Sequence, residues 1–214
     1  MKVLKNVFDI LVGIAIIAAA GMMGWKQFRP QPTMAGGRAA TENVDLQIPM
    51  LTSNRLFGIS DTAVVEFTDY ECPFCKQYST TVLPKVKNMN VSYFSFNLPL
   101  PMHQHAEGAA LSAICAAQQG GLNKMHEKLF TSPLDPSKYG TYADEIGIDT
   151  NKFKLCTSAQ QTKEILASHK ELVKRLNVKG TPTIFVGKIT GKQIHLTQRV
   201  DSGALEAELK RIGG

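Results

Sequence analysis

The residues best suited to chemistry are Cys72 and Cys75, in the stretch Asp69-Tyr70-Glu71-Cys72-Pro73-Phe74-Cys75, directly after the apolar run Ala63-Val64-Val65-Glu66-Phe67. Two cysteines two residues apart, where a strand hands over to a helix, place both sulfurs on the first helical turn. That geometry can close a small disulfide ring. Cys72 then sits at the helix N-terminus, where unpaired backbone N–H groups and the helix dipole favour a thiolate. Pro73 suits the start, because its fixed φ is helical and its missing N–H is not needed there. Cys75, one turn inward, is shielded and placed to act as the resolving thiol. Two other readings exist. A CxxC can be half of a zinc site, but zinc takes four ligands, there is no second CxxC, and only His103 and His105 offer themselves. Two inert buried thiols would not need a proline between them at a helix start. The spacing favours redox chemistry, with no metal.

A second element lies near the other end of the chain. Gly180-Thr181-Pro182-Thr183 runs into Ile184-Phe185-Val186-Gly187, a proline set immediately before a short apolar strand. X-Pro is the one peptide bond at which cis is accessible; a trans proline starting an edge strand is the alternative. In this order and at this separation, the two motifs resemble the thioredoxin superfamily. Glu66-Phe67 through Cys72-Pro73-Phe74-Cys75, followed by a long helical stretch, more narrowly resembles the DsbA-like thiol:disulfide oxidoreductases, over roughly residues 55 to 212. The resemblance implies that Pro182 is cis and packs against the cysteine pair, with Pro73 and Phe74 supporting the site. It also implies that Thr181 and Pro182 offer their backbone to an extended substrate.

The elements that must position these groups can be read in order. Ala63–Phe67 is apolar on both faces, as a sheet covered on both sides requires. Glu66 breaks that rule. A carboxylate there, six residues before Cys72, is desolvated, its pKa is raised, and it is fitted to relay a proton; a strand-end Glu reaching solvent is the alternative. DsbA-like proteins resemble this, with a buried acid near the resolving cysteine. The CxxC helix extends through Tyr78 to near Val82, where Pro84 kinks or ends it. Val91–Leu98 alternates as a strand, with Phe94, Phe96 and Leu98 on one face, and Pro99 and Pro101 stop it. From about 103 to 177 the pattern is helical. This is too long for a simple crossover, so it reads as an all-α insertion within the thioredoxin fold. Cys115 and Cys156 fall in this insertion, either as a structural disulfide, as some relatives carry, or as two buried free thiols. Thr183–Val186 and Gln193–Val200 form a hairpin joined across Gly187 and Gly191. A final helix from about Ser202 carries Leu205, Leu209 and Ile212 at helical spacing. The fold class expected is α/β, a thioredoxin fold with a helical insertion.

Residues 1–25 read as an N-terminal anchor or signal. Lys2 and Lys5 precede an apolar run that, taken from Val7 to Trp25, approaches the ~20 residues of a membrane span. Cleavage after Ala20 would instead release the chain to the periplasm. Residues 26–52, with Pro30, Pro32, Gly36 and Gly37, read as a flexible linker, leaving 53–214 as the thioredoxin-like domain. This stretch is expected to hold no second domain of the kind that disulfide isomerases of this superfamily carry.

The net charge of +6 splits into +2 over residues 1–50 (5 basic, 3 acidic) and +4 over 51–214 (19 basic, 15 acidic). These charges are scattered without a Lys/Arg run, which argues against nucleic acid. The expectation is a monomeric, envelope-facing oxidoreductase on the periplasmic side that introduces disulfides into exported proteins. It needs no cofactor beyond the Cys72–Cys75 disulfide itself. Its partners are unfolded or thiol-containing exported proteins and, by resemblance, a DsbB-like quinone-linked membrane protein. A reductase or isomerase of the same fold is the nearest alternative, since Pro73-Phe74 holds no histidine and Thr181 is common among such relatives. A peptide-binding chaperone with incidental thiols is the alternative from another class.

Overall fold

The computed structural model describes residues 44–47 and 53–213. The expected anchor, 1–25, and most of the expected linker lie outside these residues. Among the described residues six strands form one sheet: β1 (Val44–Gln47), β2 (Arg55–Phe57), β3 (Thr62–Thr68), β4 (Ser92–Asn97), β5 (Thr183–Thr190) and β6 (Gln193–Val200), in the order β1-β6-β5-β3-β4-β2. Every residue of β3 is buried, and it runs parallel to β4 and antiparallel to β5. Its alternation sorts side chains between two cores. Val64 joins one, beneath the CxxC helix; Ala63, Val65 and Phe67 join the other.

Among the described residues the α-helices, in chain order, are α1 (Pro73–Thr81), α2 (Leu83–Val86), α3 (Ala106–Ala117), α4 (Leu122–Thr131), α5 (Tyr139–Glu145), α6 (Thr150–Ser158), α7 (Gln160–Arg175) and α8 (Leu205–Ile212). Tyr78 of α1 and Leu205 and Leu209 of α8 share the first core with α3–α6 side chains. Leu172 of α7 packs on the opposite core with Leu176 beyond its end. The helical insertion therefore occupies 106–175, between β4 and β5, and the overall class is the mixed α/β thioredoxin-like fold.

Two details differ from the sequence reading, and a third agrees with it. Residues 44–47, assigned to the linker, form β1, an edge strand pairing Val44 with Leu196 and Gln47 with Gln193. As expected, α1 ends near Val82, its C-cap; Pro84 stands in the first turn of the separate helix α2, because a proline tolerates a first turn but not an interior. Gly187 does not end β5. A Cβ there would lie 2.3 Å from the His195 carbonyl oxygen, so the missing side chain lets β6 approach closely at a register shift. The turn falls at Gly191, whose φ is +60°.

Candidate active site

The chain leaves β3 at Thr68 and makes one tight turn before α1. Asp69 organises that turn. Its carboxylate is buried and accepts three hydrogen bonds of 2.8 Å, from the Glu71 N–H, the Leu100 N–H and His103 Nδ1. The turn is thereby fastened to the segment following β4, and Glu71 adds a second tie by accepting from the His105 N–H at 2.7 Å. His103 and His105, weighed as zinc ligands, thus serve Asp69 and the start of α3. Among the described residues no group of three His, Cys, Asp or Glu stands close enough to hold a metal.

Cys72 follows as the N-cap of α1, its backbone extended (φ −71°, ψ 123°), with Pro73 in the first turn. Its N–H donates to the Asp69 carbonyl at 3.1 Å, and its own carbonyl accepts from Lys76 N at 3.0 Å, the first bond of the helix. The Cys72 thiol donates to the Thr181 carbonyl at 3.5 Å. The Thr181–Pro182 bond is cis. Thus α1 and the segment before β5, more than a hundred residues apart in sequence, meet at one sulfur. Phe74 points outward, 67% exposed, and lines a shallow groove of about 190 Å³ with Gln77, Thr81, Pro182 and Gly203. Met102, on the segment tied down by Asp69, is 76% exposed.

Cys75 lies one turn inward with no exposure, accepting from the Asp69 N–H at 3.5 Å. Burial pushes its thiol well above the ordinary value, and the Glu66 carboxylate pushes it further. The Thr68 hydroxyl acts the other way on both groups, favouring their ionised forms. Glu66 itself is fully buried, on the same face of β3 as Val64. Burial raises its pKa from 4.5 to about 7, against the pull of the Tyr93 and Thr68 hydroxyls. Tyr93 donates to Glu66 Oε2 at 2.9 Å, and the Tyr78 and Tyr93 hydroxyls stand 2.8 Å apart. Glu66 Oε1 has no well-formed hydrogen bond among the described residues. On the far side of the turn, Tyr70 stands 3.3 Å from His126 Nδ1, and burial keeps that imidazole neutral, its pKa lowered to about 3.

The structure therefore brings Cys72, Cys75, Glu66, Pro73, Phe74, Thr181 and Pro182 to one end of β3. Cys115 and Cys156 stand apart in the insertion, where a disulfide with a Cα–Cα distance of 5.7 Å ties α3 to α6. Sequence reasoning assigned no role to Asp69, Tyr78 or Tyr93. The signal for Asp69 was its place three residues before a candidate nucleophile in a turn that had to be rigid. For the tyrosines there was only the helical spacing that puts Tyr78 on the Cys75 face.

Chemically, two thiols of unequal accessibility, with a titratable carboxyl beneath the inner one, can exchange disulfides and handle the proton involved. Comparison with known proteins gives the family. The sequence pattern of the Thioredoxin family matches residues 55–203. The Na(+)/H(+) antiporter NhaA 3 of Salinispora tropica is 29% identical over 229 aligned positions, covering 95% of this chain; the chain spans 34% of that relative's length. Disulfide bond formation protein D of Bacillus subtilis is 29% identical over 157 positions, covering 64% of this chain and 69% of the relative. The crystal structure of oxidised BdbD from Bacillus subtilis superposes with a TM-score of 0.62 at 22% identity, over 79% of this chain and 97% of that one, a likeness of fold.

Proposed function

Because the chain belongs to the thioredoxin family, we propose that it is a DsbA-like envelope thiol:disulfide oxidoreductase that donates the Cys72–Cys75 disulfide to exported proteins. The observation that carries this reading is the placement of the Cys72 sulfur between the N-terminus of α1 and the Thr181 carbonyl, with Cys75 sealed behind it. The likeness to a Bacillus disulfide bond formation protein supports the same reading.

In the proposed reaction a substrate thiolate attacks Cys72 Sγ. The substrate–Cys72 bond forms, the Cys72–Cys75 bond breaks, and Cys75 departs as a thiolate. Glu66 supplies the proton that neutralises it, since a buried thiolate beside a buried carboxylate is strongly disfavoured. A second substrate thiolate then attacks the substrate sulfur of the mixed disulfide. Cys72 leaves as a thiolate, received by the free N–H groups of the first turn. The substrate is oxidised by two electrons and the enzyme is left reduced. Substrate would lie across Thr181 and Pro182 beside the exposed Phe74. Reoxidation would fall to a quinone-linked membrane protein, and an N-terminal anchor in residues 1–25 would hold the domain on the periplasmic side.

The reduction potential of the Cys72–Cys75 couple, measured on the full chain by equilibration with glutathione, tests the direction. A value of about −120 mV is expected of a disulfide donor, whereas one of about −270 mV would make the chain a reductant. Loss of all exchange in Cys72→Ser is expected as well. A peptide-binding chaperone with incidental thiols would keep working in that variant.

A further inference from the structure

Glu66, Tyr93 and Tyr78 form a buried file drawn from three elements, β3, β4 and α1. Two hydrogen bonds, of 2.9 and 2.8 Å, link the three groups. Tyr93 has no exposure, Tyr78 has 2%, and the Phe57 ring stacks on Tyr93 with centroids 4.9 Å apart, so neither phenol is free to swing away. Counting protons fixes the sense of the file. While Glu66 is ionised, Tyr93 must donate to Oε2, and Tyr78 must therefore donate to Tyr93. Such a bond to an ionised acceptor is about twice as strong as a neutral one, and the second phenol strengthens the first by polarising it. The two carboxylate oxygens are consequently unlike. Oε2 is held by Tyr93, which Tyr78 holds in turn, while Oε1 has no well-formed bond.

We infer that Tyr93 and Tyr78 are positioning residues for proton exchange between Glu66 and Cys75: they hold Oε2, leave Oε1 to take the thiol proton, and keep the buried carboxyl able to ionise. This rests on the reading that Glu66 exchanges protons with Cys75. When Cys75 attacks a mixed disulfide at Cys72, its S–H proton moves to Glu66 Oε1, the Cys75–Cys72 bond forms, and the substrate thiolate leaves. In the oxidising direction the proton returns to Cys75 as its sulfur departs. The phenols keep their own protons throughout, since burial raises both well above their ordinary values.

Other groups also face Glu66: Ser95, its paired residue on β4, is buried and its hydroxyl has no well-formed hydrogen bond among the described residues. Thr68 lies on its own strand, Cys75 and Tyr78 come from α1, and Tyr93 comes from β4. Tyr70 contributes from the turn, with neutral His126 of α4 behind it, and β5 offers Ile184 as the paired residue.

The test is the pH dependence, from pH 5 to 9, of the reaction of the oxidised full chain with reduced glutathione, each rate divided by the glutathione thiolate concentration. The native chain should show an inflection near pH 7 that Glu66→Gln abolishes. Tyr93→Phe, which keeps the ring against Phe57, should move it upward by about one pH unit, tenfold in the ionisation constant. Tyr78→Phe should move it the same way by less. If Glu66→Gln removes the inflection but both phenylalanine variants leave it in place, the tyrosine device is refuted and the Glu66 reading stands. If the inflection survives in Glu66→Gln, both fall.

Discussion

Glu66→Gln removes a charge from a carboxyl with no exposure, keeps its shape, and leaves Tyr93 an acceptor. In the unfolded chain the carboxyl titrates at its ordinary 4.5; in the folded chain burial lifts it to about 7. Between those pH values the folded state holds a proton that the unfolded state has released. The free energy of unfolding therefore falls as pH rises through this window, and it is level again above about pH 7. A gap of about 2.5 pH units (7 less 4.5) at ~1.4 kcal/mol each amounts to about 3 kcal/mol of stability lost to the carboxylate at pH 8. Glutamine loses nothing over the same range. Urea denaturation of both chains, followed by circular dichroism at pH 4.5, 6, 7 and 8, should show near-equal stability at the lowest pH. The variant should then gain steadily, reaching about 3 kcal/mol at pH 8. A difference that stays constant across pH, or a native chain that is the more stable at pH 8, would refute the assignment of a raised carboxyl to this position.

Two further outcomes follow from the same geometry. Replacing Cys115 and Cys156 together by alanine opens a loop of sequence separation 41 and should lower stability by about 4 kcal/mol while leaving exchange at Cys72 intact; denaturation under non-reducing conditions measures the first and turnover the second. Asp69→Ala leaves the N–H groups of Glu71 and Leu100 without their acceptor and should be destabilising by about 3 kcal/mol. Asp69→Asn should lose less, and limited proteolysis between Leu98 and His105 should report the loosened segment in both.

Much of the site was legible because its parts are local. The CxxC stretch needs only a strand, a turn and a helix start to set its chemistry. Pro182 announces itself by standing directly before an apolar strand, and Glu66 by interrupting one. What stayed hidden depends on partners distant in sequence. Asp69 reads as an ordinary turn residue until Leu100 and His103, 31 and 34 residues on, are seen to converge on it. Tyr78 and Tyr93 read as core aromatics, and their hydroxyls meet only because the β3–β4 register sets Val64 beside Tyr93 beneath α1. The sequence allowed Cys115 and Cys156 to be paired or free, a choice that turns on how α3 packs against α6. β1 and β2, of four and three residues, are too short to carry a period; their pairing with β6 and β4 defines them.

The edge strand β1 carries a lesson for anyone shortening this chain. It covers Gln193–Leu196, half of the eight-residue β6, and no residue of the redox site belongs to it. A chain begun at residue 53 would keep both thiols, Glu66 and Pro182, yet present the whole outer margin of β6 as unpaired N–H and C=O groups. Bare margins of this kind recruit strands from neighbouring molecules. Loss of β1 is therefore expected to surface as poor solubility in a molecule whose chemistry is untouched.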